Sequence, residues 1–105
     1  MITPELLDRF STEFTEDKYA KYRYREVGAD STIKYCAIGF LVHLYLKEYT
    51  YGMNYNRLCI DIGDELNDLI ALHAPDSPNI SFVNDNEGYT AVMELIDRVR
   101  SATYG

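Results

Sequence analysis

The sequence predicts a single α+β domain that is mainly helical, and three observations carry the prediction. First, Tyr35–Tyr49 (YCAIGFLVHLYLKEY) is apolar around its whole circumference except at Gly39 and His43 before it reaches Lys47. A helix with no clear water-facing side is one that other elements surround. Second, the segments 4–14, 57–72 and 90–102 each show one apolar stripe at helical spacing, as helices packed around such a centre would. Third, the remainder is short and punctuated by turn residues, leaving room for only a minor β element at 22–27 and 80–83. With 105 residues, the chain has the length of one domain. It buries enough surface, roughly 65% of what it exposes when unfolded, to need no metal or disulfide staple.

The first helix opens on Thr3-Pro4, a capping side chain followed by a ring suited to the first helical position. Glu5 and Asp8 favour the positive end of the helix dipole, and Leu6, Leu7, Phe10 and Phe14 form the inward face. From Glu16 to Asp30 the character changes, with Lys18, Lys21, Arg23 and Arg25 interleaved with Tyr19, Tyr22 and Tyr24. Tyr22–Val27 alternates with period two, Gly28–Ser31 is turn chemistry, and Ile33–Tyr35 returns, which together describe a small hairpin.

The central helix follows. Its Gly39 costs about 1 kcal/mol against alanine, which predicts that another backbone comes close there. His43, in an apolar helix, is expected to bond a carbonyl or a tyrosine hydroxyl. Thr50–Asn56 is a break, with Asn56 as the expected cap of the next helix. Leu58, Ile62, Leu66 and Leu69 face inward on that helix, and Asp61, Asp64, Glu65 and Asp68 form an acidic stripe beside them. Four neighbouring carboxylates repel one another, which favours solvation. His73–Asn79 is a proline-rich loop, Asn84–Gly88 is a turn, and the last helix turns Val92, Met93, Ile96 and Val99 inward.

Seventeen acidic against ten basic side chains give a net charge of −7. That balance disfavours non-specific nucleic-acid binding and attachment to anionic membranes, both of which need Lys and Arg. It is compatible with plain solubility, the simplest reading, with a basic protein partner, or with imitation of nucleic acid by carboxylates. The longest apolar run, about twelve residues, is too short to span a bilayer. The N-terminus has no basic region followed by an apolar stretch, and Cys36 and Cys59 lie in apolar patterns. These features predict a reduced, cytoplasmic protein.

Cys36 is the first candidate for chemistry, because the start of a helix lowers a thiol's pKa. A nucleophile needs a base, and His43 lies about 10 Å further along the axis. This leaves His73 as base, with Asn84 or Asp85 to orient it. No surrounding motif supports the set, and a packed thiol is the plainer expectation. No pair of Cys or His stands at zinc-ligand spacing, and no phosphate loop or dinucleotide fingerprint occurs, so neither a metal nor a cofactor is expected. The Lys18–Arg25 patch, with Lys21, Arg23 and Arg25 foremost, is a candidate site for a small anionic ligand.

Taken together, DKYAKYRYRE, then YCAIGFL, then FVND ahead of YTAVMELIDRV resemble a group of short, uncharacterised phage and bacterial proteins. Their pattern is a Cys-x-x-Gly helix and a downstream Asn-Asp before the last helix, here Cys36, Gly39, Asn84 and Asp85. Members frequently carry two adjacent cysteines where this chain has one. The resemblance implies a phage or prophage setting and, with it, a host-cell location. The small size, the lack of a catalytic signature, the excess of carboxylates and the ten tyrosines make the leading expectation a non-enzymatic interaction protein, such as an inhibitor of a host defence or nucleic-acid-handling factor. Its partner would be a host protein met through Asp61, Asp64, Glu65 and Asp68 and through exposed tyrosines such as Tyr51 and Tyr55. A thiol hydrolase or transferase built on Cys36 and an anion binder are the alternatives.

Overall fold

The computed structural model describes residues 1–48 and 54–104. Helix α1 spans Pro4–Glu13, with the Thr3 hydroxyl accepting the Leu6 amide at 3.1 Å. A 3-10 turn at Glu16–Lys18 leads to strands β1 (Arg25–Val27) and β2 (Ile33–Tyr35). Helices α2 (Ala37–Glu48), α3 (Tyr55–His73), α4 (Ile80–Phe82) and α5 (Tyr89–Tyr104) complete the order, with a π turn at Val83–Glu87 before α5. The protein is thus α+β and mainly helical, with one small antiparallel sheet among the described residues.

Four helices close a ring of contacts: α1 on α2, α2 on α3, α3 on α5 and α5 on α1. Within this ring α2 is the most buried member, as its composition demands, with every residue from Ala37 to Val42 and Leu44 out of solvent. Each fully buried Leu or Val there contributes about 1.5–3 kcal/mol. Phe14 and Phe40 stack at 4.7 Å between centroids, locking α1 to α2.

The hairpin pairs Arg25 with Tyr35, Glu26 with Lys34 and Val27 with Ile33. It begins later than expected, since Tyr22–Tyr24 forms an irregular strap and not the start of a strand. Just ahead of the strap, Ala20 donates its amide to Tyr35 O at 2.9 Å, and Tyr19 bridges Tyr35 in parallel. The strap also explains Gly39. A β-carbon at that position would lie 1.8 Å from Tyr24 O, so only glycine lets the strap cross α2. His43 is half-buried and shares a 3.2 Å hydrogen bond with the Tyr35 hydroxyl. Burial pushes the His43 pKa down, and the nearby Lys47 charge adds to the effect, favouring the neutral ring.

Some expectations need correction. The stretch 80–83 is not a strand. Asn79 caps a helical turn by accepting the Phe82 amide at 2.9 Å, and Asn67 Oδ1 accepts the Ile80 amide at 2.8 Å. These two side chains satisfy the backbone locally, which removes any need for a sheet partner. Helix α2 starts at Ala37, because Tyr35 is committed to β2. The cap of α3 is Asn54, whose Oδ1 accepts the Arg57 amide at 3.1 Å, and not Asn56.

Candidate functional site

Three segments far apart in sequence converge at the N-terminus of α2: the strap Tyr22–Tyr24, the residues Cys36–Ile38, and Ile80, Ser81, Asn84 and Asp85. They enclose a cavity of about 380 Å³, within the roughly 300–1,000 Å³ typical of small-molecule sites.

Asn84 holds the three together. It is 1% exposed and fully engaged. Its Oδ1 accepts the Ala37 amide at 3.0 Å, so it caps the first turn of α2 from outside the helix. Its Nδ2 donates to Ala20 O and to Asp85 Oδ1, each at 3.0 Å. Its backbone carbonyl accepts the Tyr19 hydroxyl. The π turn makes this possible by placing Asn84 inward and Asp85 toward the strap. Such insertions recur at functional sites in helices.

Asp85 Oδ1 also accepts the Tyr22 amide at 2.8 Å, which pins the strap. Tyr22 is held at φ 66°, in the left-handed region that a residue with a β-carbon rarely adopts. It is nevertheless 74% exposed, so its ring stands at the rim of the cavity and takes little part in the core. Neighbouring Arg23 is exposed and has neither an ion pair nor a hydrogen bond among the described residues.

Cys36 sits at the N-cap of α2. Its Sγ accepts the Gly39 amide at 3.4 Å, and its carbonyl accepts the Phe40 amide at 2.9 Å. Burial raises the thiol's pKa, and the Gly39 and Ile38 amides only partly offset it. The thiol is therefore held protonated, as a capping and packing group. Cys59, fully buried in α3, is pushed up to about 12 by burial and by Cys36. Both cysteines are free thiols.

The expected catalytic set is brought together only in part. Cys36, Asn84 and Asp85 share the cavity, but His73 ends α3 and is not among the residues lining it. No histidine lines the cavity wall; His43 lines a separate depression with Lys18, Tyr35 and Lys47.

The Lys18–Arg25 patch is also divided. Lys18 Nζ donates to Glu13 O at 3.1 Å and lies over the Phe40 ring, and Arg25 stacks over Tyr55 at 5.2 Å. Lys21 is exposed, and Arg23 alone of the four lines the cavity.

The acidic stripe is solvated at Asp64 and Asp68. Asp61 is half-buried and pairs with Arg57 at 3.3 Å. Glu65 ties down the N-terminus, accepting the Ile2 amide at 2.9 Å and the terminal ammonium at 3.4 Å. Tyr55 is half-buried rather than a free contact residue, and its hydroxyl lies 3.2 Å from Gly39 O and 3.4 Å from Tyr24 O. Tyr51 lies outside the described residues.

Among the described residues no cluster of His, Cys, Asp and Glu is arranged to hold a metal ion, and no helix is long and apolar enough to cross a membrane. Comparison with known proteins finds no family model that matches the chain, no matching curated protein and no matching solved structure. The site's chemistry therefore rests on its geometry. Tyr22, Tyr24, Ile38, Ile80 and Ser81 join it without having been singled out as a set from the sequence. The signal for them was indirect, in the tyrosines flanking Arg23 and in the close approach that Gly39 implied.

Proposed function

We propose that this protein acts by binding and not by catalysis, with the cavity between the strap and α2 as its recognition site. One observation carries the proposal: the reactive group on the cavity wall is withheld, while the gripping groups are presented. Cys36 is 8% exposed, its thiol raised in pKa by burial and without a histidine beside it on the wall. Tyr22 and Arg23 on the same wall are exposed, and Arg23 has no partner among the described residues. A thiol nucleophile needs the reverse, an accessible sulfur with a base to take its proton.

A second surface is favoured by its own observation. Along α3, Ile60, Asp64, Asp68 and Leu72 follow one another at intervals of four, and Ile60 and Leu72 are 50% and 71% exposed. An acidic centre with apolar ends suits a basic protein partner. A host protein is the partner class that fits a phage setting, and inhibition of a defence or nucleic-acid-handling factor is the finer form of this second proposal.

Affinity capture from bacterial lysate separates the surfaces. A species held by wild type should survive Cys36→Ala and be lost with Arg23→Glu if the cavity is the site. Loss with the double reversal Asp64→Lys, Asp68→Lys, and retention with Arg23→Glu, would move recognition to α3. Loss with Cys36→Ala in a protein that still folds would contradict binding without thiol chemistry.

A further inference from the structure

We infer that the cavity beside Cys36 takes a small molecule in which a flat ring is joined to an anionic group, a nucleoside monophosphate being the simplest natural example. The inference rests on the binding proposal above and deepens it.

The cation comes first. Carboxylates outnumber basic groups seventeen to ten in this chain, so partners for an arginine are in surplus. Arg23 nevertheless lines the cavity with no ion pair among the described residues. Its planar fork matches a carboxylate or phosphate through two parallel hydrogen bonds. The other cationic feature nearby, the N-terminus of α2, is largely occupied by the protein's own groups, with the Ile38 amide directed at the Cys36 thiol. Its amides serve Asn84 Oδ1 at Ala37, Cys36 Sγ at Gly39 and Cys36 O at Phe40. The anion therefore belongs at Arg23 and not at the helix end.

The ring comes second. Tyr22 keeps a β-carbon in a left-handed conformation that glycine would adopt without strain, and its side chain is mostly in solvent. Folding gains little from that ring, whereas a flat ligand gains a stacking face. Ile38 and Ile80, both buried, line the same cavity and make part of its wall apolar.

A third contact fixes orientation. Asp85 Oδ1 already accepts the Tyr22 and Asn84 donors, while Oδ2 has no hydrogen bond among the described residues. That oxygen is placed to accept from an amino or hydroxyl group of the ligand. The net charge of −7 favours a small ligand over a nucleic-acid strand, whose many phosphates the chain would repel.

Calorimetric titration of the folded protein tests this with four probes: nucleoside monophosphates, 4-aminobenzoate, inorganic phosphate and a short single-stranded oligonucleotide. The monophosphates should bind, phosphate alone should not at the same concentration, and the oligonucleotide should bind no more tightly than its monomer. Arg23→Met should weaken binding roughly tenfold or more, and Lys21→Met should leave it unchanged. Tyr22→Gly should also weaken binding while melting no lower than wild type, which separates a ligand role from a folding one. Binding of 4-aminobenzoate alone, with the same dependence on Arg23, would uphold the ring-and-anion chemistry and assign it to an aromatic acid. Failure of every monophosphate and of 4-aminobenzoate at millimolar concentration, or equal binding by Arg23→Met, would overturn the inference. If a protein is still captured through Arg23 in that event, the binding proposal survives without it.

Discussion

Replacing Gly39 with alanine is expected to cost about 3 kcal/mol or more, above the usual penalty for overpacking a core. The added carbon would lie 1.8 Å from Tyr24 O and 2.9 Å from the Tyr55 hydroxyl. The first of these is backbone and cannot rotate away. The strap must lift off α2, which also opens the cavity and breaks the geometry that holds Tyr22. A melting temperature lower by roughly 15 °C would correspond to that loss for a domain of this length. Gly63 is a useful control, because the nearest atoms alanine would meet there belong to the Ile38 side chain, first its Cδ1 methyl at 3.1 Å, the end of a flexible chain. A Gly39→Ala protein melting within a few degrees of wild type would show that the strap does not cross α2 as described.

Asn84→Ala is expected to cost about 2–4 kcal/mol, because it strands the Ala37 amide and the Ala20 carbonyl without partners in a buried place. Both partners lie at 3.0 Å in the native protein. Asn84→Asp sharpens the test by keeping the shape while replacing the donor with a charge facing Ala20 O and Asp85. The folded-state pKa of the introduced carboxyl would be raised above its unfolded value of about 3.9. Its penalty is therefore absent below that pH and grows as the pH rises through the folded pKa. Urea unfolding of both variants at acid and neutral pH reads the difference. An Asn84→Ala protein as stable as wild type would mean that the three segments are held by something else.

Much of this fold was legible in the sequence because it follows from composition at short range. An apolar run with no wet face had to be surrounded, and α2 is. Gly39 inside that run had to admit a neighbouring backbone, and the strap provides it. His43 had to find a polar partner, and the Tyr35 hydroxyl provides one. The short run Ile80–Val83 was misleading because four apolar-rich residues suit a strand or a buried helical turn equally. The outcome was decided by Asn79 and Asn67, and Asn67 belongs to a different helix.

The cavity was legible only in fragments. Cys36, Asn84, Asp85 and Arg23 each stood out, but as members of different candidate sites. What unites them is a clasp between residues 64 positions apart, Asn84 Nδ2 to Ala20 O. No local pattern encodes such a contact. The same clasp reassigns the residues: Asn84 joins segments instead of orienting a base, Asp85 pins the strap, and Arg23 separates from Lys18 and Arg25.

Thiol reactivity tests the central claim most directly, that Cys36 packs the helix start while the cavity around it binds. Alkylation of the folded protein, followed by mass spectrometry and compared with the urea-unfolded chain and a free thiol at the same pH, gives the rate at Cys36. Burial and the raised pKa predict a rate well below that of the free thiol, rising to match it on unfolding, with Cys59 slower still. A folded-state rate at Cys36 faster than the free thiol would reveal an activated nucleophile and contradict the account.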